Sequence, residues 1–425
     1  MKKNLKIDLF TSILININII IGAGLFINPK PLTQLSGKFG FLNYIVAAII
    51  LLPIVLSIAK LAKSHPTAGG LYVYAKKYIN NKAGFFCGWS YFLGKTTSAA
   101  LLAHIFVNFF YKKIELLQNI PILILDIIFI FFLIFINIFG VKIGGKIQYF
   151  FTTAKIIPII FVIFAGFSLF NPQFFITNTK ETYEFFSALP IAIFAFLSFE
   201  IICSIGHMIK NPQKNIQRSI IYSFFIVVGC ATIFQIAIFG SLGGALSKSS
   251  EPVKMLASNI FPNFLIIGGI LNAFVFASII GGSFGSLTSN CWNLFALAND
   301  NQLPFKKILT KTNKLNIPYA SLIAQGIIAC ILLALTKDQI PLQNMTVFGM
   351  VTAYFLNSIS AFIQSKKEKQ KKYFLIIPAL SIISSLYITS ICFKNIFIYG
   401  VSLSFSSIFI SGLLINLFFT IKKKI

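Results

Sequence analysis

The chain has 425 residues, 57% of them hydrophobic and only 11% charged, where a soluble domain carries about a quarter. That deficit excludes a soluble core and places most of the chain in a bilayer. The net charge of +26 comes from 36 basic residues, only Arg218 an arginine, against 10 acidic ones. The basic residues sit in short clusters between apolar runs, which excludes an extended surface for nucleic acid.

A spanning helix takes about 20 apolar residues. On that measure twelve spans are predicted, at 9–36, 40–61, 84–111, 119–139, 147–170, 185–209, 219–245, 261–297, 317–336, 343–363, 373–393 and 396–420. The first follows Asp8 without a cleavable signal and reads as a retained helix. With the N-terminus inside, one set of loops holds only Lys112, Lys113, Lys180, Lys248, Lys254, Lys337 and Lys394, against 25 basic residues in the cytoplasmic set. That asymmetry follows the positive-inside rule and puts both termini in the cytoplasm. The loops are too short for a soluble catalytic domain. Six cysteines fall inside apolar stretches without a CxxC, and read as small buried hydrophobes. The three histidines are too scattered for a metal site, and no cofactor is expected.

In chain order, the first span contains Ile21-Gly22-Ala23-Gly24-Leu25-Phe26 with Pro29 and Pro31 just beyond. Glycine weakens a helix by about 1 kcal/mol against alanine, and non-helical backbone at this depth is tolerated only where it is buried or lines a cavity. An opening there exposes N–H groups that attract a carboxylate and carbonyls that take an ammonium. Close packing of two straight helices through GxG serves the same residues equally well. The third span carries Lys95, and His104 further along reads as a packing histidine. Phe129, Phe131, Phe132 and Phe135 in the fourth read as lipid-facing. Lys155 lies in the fifth, either turned inward and able to gain and lose a proton or snorkelling to the cytoplasmic side. The sixth span reads Leu189-Pro190-Ile191-Ala192-Ile193-Phe194-Ala195-Phe196-Leu197-Ser198-Phe199-Glu200. Glu200 is read as the only carboxylate deep in any span, functional by default, with a structural ion pair or a protonated acid as the alternative. Interruptions in spans one and six fall at corresponding places of two five-helix halves, the pattern of inverted-repeat carriers.

With those residues in place, the sequence resembles the amino acid–polyamine–organocation superfamily of permeases over roughly residues 8–335. Ile21-Gly22-Ala23-Gly24-Leu25-Phe26 is similar to the family's G-x-G-[IVL]-F. Ala68-Gly69-Gly70-Leu71-Tyr72-Val73-Tyr74, with Gly84-Phe85 and Gly88-Trp89, is similar to its A-G-G-x-Y-x-Y…G-F…G-W run. Phe194 to Glu200, followed by Lys210-Asn211-Pro212-Gln213-Lys214-Asn215-Ile216, resembles F-x-F-x-G-F-E…K-N-P-x-(K/R)-N-I-P, and Asp300 to Pro304 more weakly resembles D-G-x-L-P. Three departures stand out: Ser198 for glycine, Gln217 for proline and His207 where many members have glutamate.

The resemblance implies an all-α polytopic membrane protein with 12 transmembrane helices and a LeuT-like 5+5 inverted repeat, helices 1 and 6 broken. Residues 1–170 would form the first repeat, 185–363 the second, and 373–425 the last two helices with a basic cytoplasmic tail. It also implies a substrate carboxylate on the N–H groups of Ala23 and Gly24, and a substrate amino group facing carbonyls near Ile21 and those of Phe194, Ala195 and Leu197. Gly22, Leu25, Phe196 and Ser198 complete that surround, and Phe194 matches an aromatic position that packs on substrate. Lys155 stands where proton-coupled relatives carry a lysine that replaces a sodium ion. Lys95 falls where the arginine–agmatine antiporter branch has a neutral asparagine; an ion pair with Glu200 is the leading expectation, recognition of an acidic or polar side chain the second. Ser286 in span eight is a further candidate. The function expected is secondary active transport of amino acids across the inner membrane, proton-coupled and not enzymatic. The alternatives are an amino acid/polyamine exchanger of the arginine–agmatine or glutamate–amine type, and a non-transporting membrane amino acid sensor. The expected partners are an amino acid or amine, protons and the lipid bilayer, with a homodimer left open.

Overall fold

The computed structural model describes residues 7–66, 70–139, 141–176, 184–204, 206–368 and 372–422. Among the described residues there is no strand; an isolated parallel bridge joins Ile7 to Ile209. The first predicted span is three helices in series, α1 (Leu9–Ile20), α2 (Gly24–Ile27) and α3 (Pro29–Ser36). There follow α4 (Gly40–Ser64), the short α5 (Gly70–Tyr78), α6 (Asn81–Lys113), α7 (Ile122–Ile138) and α8 (Val141–Ser168). The sixth predicted span is again in pieces, α9 (Leu189–Phe194) and α10 (Ile201–Ser204). The chain continues through α11 (Pro212–Leu242), α12 (Leu265–Asn299), α13 (Tyr319–Leu335), α14 (Gln339–Lys367), α15 (Ile376–Ile398) and α16 (Ser402–Lys422). Among the described residues, six stretches are long and apolar enough to cross a membrane and four shorter apolar helices accompany them. The chain is a multi-pass membrane protein.

Local chemistry sets the helix ends. Asp8 caps α1, its carboxylate accepting from the Thr11 N–H at 2.7 Å, and Asn80 caps α6 through the Ala83 N–H at 2.8 Å. Pro29 opens α3 and Pro212 opens α11, positions where the missing N–H is not needed.

In a bilayer, helices associate through close van der Waals packing rather than by hiding apolar surface from water. One such close crossing joins α6 to α14. A Cβ added at Gly94 would lie 2.8 Å from the Met350 backbone N, and one at Gly349 would lie 2.7 Å from the Gly94 N. Around this pair, α12 packs against α6 and α8, and α4 against α11.

Phe131, Phe132 and Phe135 are exposed on the lipid-facing side of α7. Phe129 is not: it stacks on Phe106 with ring centroids 4.7 Å apart, because the helical turn carries it onto the α6 face. A second correction concerns Asp126. Glu200 is not the only carboxylate deep in a span, since Asp126 is wholly buried in α7 and meets His104 Nδ1 at 2.9 Å. Asp126 lies within the predicted span 119–139, and packing against α6 encloses it. His104 is the satisfied packing histidine expected. All six cysteines are free thiols.

Candidate functional site

In the first span, α1 makes its last regular bond from the Ile21 N–H to the Ile17 carbonyl, at 2.8 Å. The Gly22 N–H then folds back to Ile20 O at 2.6 Å, and α2 begins at Gly24. The N–H groups of Ala23 and Gly24 thus stand at the start of a helix, where such donors have no intrahelical acceptor. The two glycines play different parts. A Cβ at Gly22 would meet nothing nearer than the Ile20 carbonyl, at 3.8 Å, whereas one at Gly24 would lie 3.0 Å from the Ala195 Cα and 3.2 Å from the Phe194 ring. Gly24 is where the two interrupted spans touch.

The second interruption is held by side chains. Ser198 has φ 77, the left-handed region that L-residues other than glycine enter at a cost. This is the position where the resembled motif has glycine, and the backbone keeps the conformation. The Ser198 Oγ accepts from Lys95 Nζ at 2.5 Å. Asn16 Nδ2 of α1 donates to the Phe199 carbonyl at 3.1 Å, and Asn28 Nδ2 donates to the Ile191 carbonyl at 2.7 Å. Both asparagines tie the first span to the sixth, and neither was among the predicted site residues.

The expected ion pair between Lys95 and Glu200 is not made: among the described residues the two come within 4.0 Å of neither one another nor another opposite charge. Tyr91 and Tyr354 each donate a hydroxyl to one Glu200 oxygen, at 2.6 Å. Each Glu200 oxygen accepts from a tyrosine and the Lys95 ammonium is drawn to Ser198, so Glu200 is hydrogen-bonded to α6 and α14.

Lys155 is 7% exposed. Its Nζ donates to the Asn18 and Ile21 carbonyls at 2.5 and 2.6 Å, so the ammonium is turned inward. Asn18 and Ile21 lie where α1 ends, and carbonyls at a helix end attract a cation because they lack intrahelical donors.

These elements enclose a cavity of about 480 Å³, within the size range of small-molecule sites. Gly22, Ala23, Gly24, Phe194, Leu197, Ser198, Lys95, Ser286 and Lys155 line it. Ile21, Leu25, Ala195, Phe196 and Glu200 do not, and of these Leu25, Ala195, Phe196 and Glu200 are buried in helix contacts behind the wall. Residues missed by sequence reasoning include Ser98, one turn beyond Lys95, and the α12 row Ser278, Gly282, Ser289 and Trp292. The helical spacing of that row around Ser286 is the signal that leads to it. The lining holds two lysines and, among the described residues, no carboxylate.

Two of the motif stretches meet at the end of α12. Tyr72 and Lys76 both donate to Asp300 Oδ2, at 2.7 Å. Partial burial works to raise the Asp300 pKa, but the hydrogen bonds from Lys76 and Tyr72 outweigh it and hold the carboxyl below its ordinary range. Asn301 adopts φ 56 where the motif has glycine, a conformation asparagine tolerates. Ala68 and Gly69 of the same motif set lie outside the described residues.

The model of the family described as "Amino acid permease" matches residues 7–419. The serine/threonine exchanger SteT of Bacillus subtilis is 26% identical over 385 residues, 88% of this chain and 86% of its own length. The aromatic amino acid transport protein AroP of Escherichia coli is 23% identical over 360 residues, 80% of this chain and 75% of its own. The lysine-specific permease LysP of Lactococcus lactis is 24% identical over 339 residues, 73% of this chain and 65% of its own.

Proposed function

The chain belongs to the amino acid permease family, and we propose that it moves amino acids across the inner membrane by alternating access, coupled to protons through Lys155. The observation that carries this reading is the Lys155 ammonium on the Asn18 and Ile21 carbonyls, at 2.5 and 2.6 Å. Charge-assisted hydrogen bonds are roughly twice as strong as neutral ones, so the charged lysine ties α8 to the end of α1. Loss of the proton weakens that tie and frees the interrupted span to move.

In this reading the substrate carboxylate sits on the Ala23 and Gly24 N–H groups, with Phe194 packed on the substrate and Leu197, Ser198 and Ser286 around it. The two interrupted spans rock together against α6, α7, α12 and α13. Their joint motion is supported by Asn16 and Asn28, which bond across from the first span to the sixth, and by the Ile7–Ile209 bridge at its start. Twelve spans in a 5+5 inverted repeat with both termini cytoplasmic complete the proposal. The paired interruptions and the uneven distribution of basic residues between the two sets of loops support it.

The test is uptake of radiolabelled amino acids into proteoliposomes under an imposed pH gradient, with wild type and Lys155→Ala. Gradient-driven accumulation in wild type that disappears in the variant is expected. A second reading, obligatory exchange, is favoured by the likeness to a protein named as an exchanger. It replaces proton coupling if flux appears only in liposomes preloaded with amino acid. Absence of any flux from folded protein overturns transport and leaves the sensor.

A further inference from the structure

We propose that Lys95 makes this cavity selective for amino acids with an anionic side chain, its ammonium and the hydroxyls of Ser198 and Ser98 forming the subsite for the second carboxylate. The proposal rests on the transport reading above and adds the substrate class.

The cavity wall contains two ammonium groups, Lys95 and Lys155, and among the described residues no carboxylate. Lys155 is committed to two carbonyls at the end of α1. Lys95 is not: an ammonium has three donors, and among the described residues Lys95 makes one hydrogen bond, to Ser198 Oγ at 2.5 Å. The Tyr91 ring lies on its flank, with Nζ 5.8 Å from the centroid. The remaining donors belong to a group that lines the cavity yet is only 6% exposed. A cation in such a place is stabilised by an anion that brings acceptors for those donors.

Glu200 acts on the Lys95 charge through space, but it lies behind the wall with the Tyr91 and Tyr354 hydroxyls on its oxygens and makes no hydrogen bond to the ammonium. Acceptors for the remaining Lys95 donors come from the ligand. A zwitterionic amino acid has one carboxylate, and in the reading above that group is taken by the start of α2. An acidic amino acid brings a second one, and its charge balances Lys95. A basic amino acid would add a side-chain cation to a wall that already holds two ammonium groups and, among the described residues, no carboxylate, and is rejected.

Ser198 shows that this corner is built. A serine at φ 77 is less stable there than glycine, and its hydroxyl is held by Lys95. Ser98 follows Lys95 by one helical turn on α6 and also lines the cavity, so its hydroxyl lies on the same face.

The experiment measures inhibition of uptake in proteoliposomes by aspartate, glutamate, asparagine, glutamine and lysine. The labelled substrate is the amino acid that wild type transports best. Each acid and its amide have nearly the same shape, so their ratio isolates the charge. In wild type the acids are expected to outcompete the amides by about tenfold or more, and lysine to compete least. Lys95→Gln should lower the acid-to-amide ratio by about tenfold or more, and Lys95→Arg should retain more of it than Lys95→Gln does. Amides competing as well as acids in wild type, or lysine competing best, overturns the proposal and leaves amino acid transport standing. The wild-type ratios test the substrate class whether or not a variant folds, and an unchanged acid-to-amide ratio in folded Lys95→Gln overturns the part given to Lys95. If no amino acid is accumulated or exchanged at all, the failure belongs to the transport reading beneath.

Discussion

The first span breaks at two glycines, Gly22 and Gly24, with Lys155 on the carbonyls that end α1, whereas the sixth breaks between α9 and α10 without a glycine from Leu189 to Ile201. At the first break, what matters is the missing side chain: Gly24 lets the chain approach the Ala195 Cα closely enough that a Cβ would sit 3.0 Å away. At the second, Ser198 holds φ 77 while Lys95, Asn16, Tyr91 and Tyr354 bond to residues 198–200. One interruption is therefore sensitive to added volume and the other to lost polar partners. The difference shows that a helix can be opened inside a membrane by removing bulk or by supplying alternative hydrogen bonds, provided the freed groups are buried in protein or line a cavity.

The largest effect is expected from Glu200→Ala. It strands the Tyr91 and Tyr354 hydroxyls in a buried setting, and each stranded group costs about 1–3 kcal/mol. A clear drop in the melting temperature of the detergent-solubilised protein is expected, smaller when Tyr91→Phe and Tyr354→Phe are added. A variant melting with wild type would refute the side-chain account of this break.

Next in size is Gly24→Ala, where overpacking against Ala195 and Phe194 costs about 1–3 kcal/mol. Gly22→Ala has room and should stay within about 0.5 kcal/mol. Equal melting temperatures for the two variants would show that close approach at Gly24 is not what the glycine provides.

A smaller effect separates Ser198→Gly from Ser198→Ala. Both lose the hydroxyl that Lys95 bonds, but only glycine relieves the left-handed backbone, so the glycine variant should be more stable by about 1 kcal/mol. If alanine were the better residue, the strain at φ 77 would not be real.

The smallest effect lies outside both breaks, at Asp300. Its folded-state pKa is depressed, so its contribution to stability is complete above the ordinary carboxylate range. That contribution disappears as pH falls through the lower folded value. The pair with Lys76 is partly exposed and screened, worth at most about 1 kcal/mol. Melting curves should show wild type above Asp300→Asn at neutral pH, with the gap closing in acid; a constant gap would assign the difference to something other than ionisation.

Much of this organisation was legible in the residues. The apolar runs follow from local properties, and the motif set around Tyr72 and Asp300 turns out to be a physical contact. For Gly22-Ala23-Gly24 and for Lys155 the residues allowed two readings each, and packing chose the break and the inward ammonium. The role given to Glu200 as a cavity group, and its pairing with Lys95, did not survive. Two tyrosines from α6 and α14 capture the carboxylate, and nothing in the sequence near residue 200 announces them. Asn16 and Asn28 were equally silent, because their partners lie 183 and 163 residues away.

The residues alone place the chain in a membrane and mark which segments are apolar enough to enter it and where glycines or an embedded carboxylate interrupt them. Transfer of each segment from water to hydrocarbon is largely a property of that segment alone, and so is the helix-breaking tendency of glycine. Which polar group meets which was decided only by the tertiary structure. Burial of Asp126 and the turning of Glu200 away from the cavity, like the exposure of Lys95 to it, depend on helices distant in sequence packing side by side. A polar group in that interior takes whichever partner the packing brings within hydrogen-bond reach.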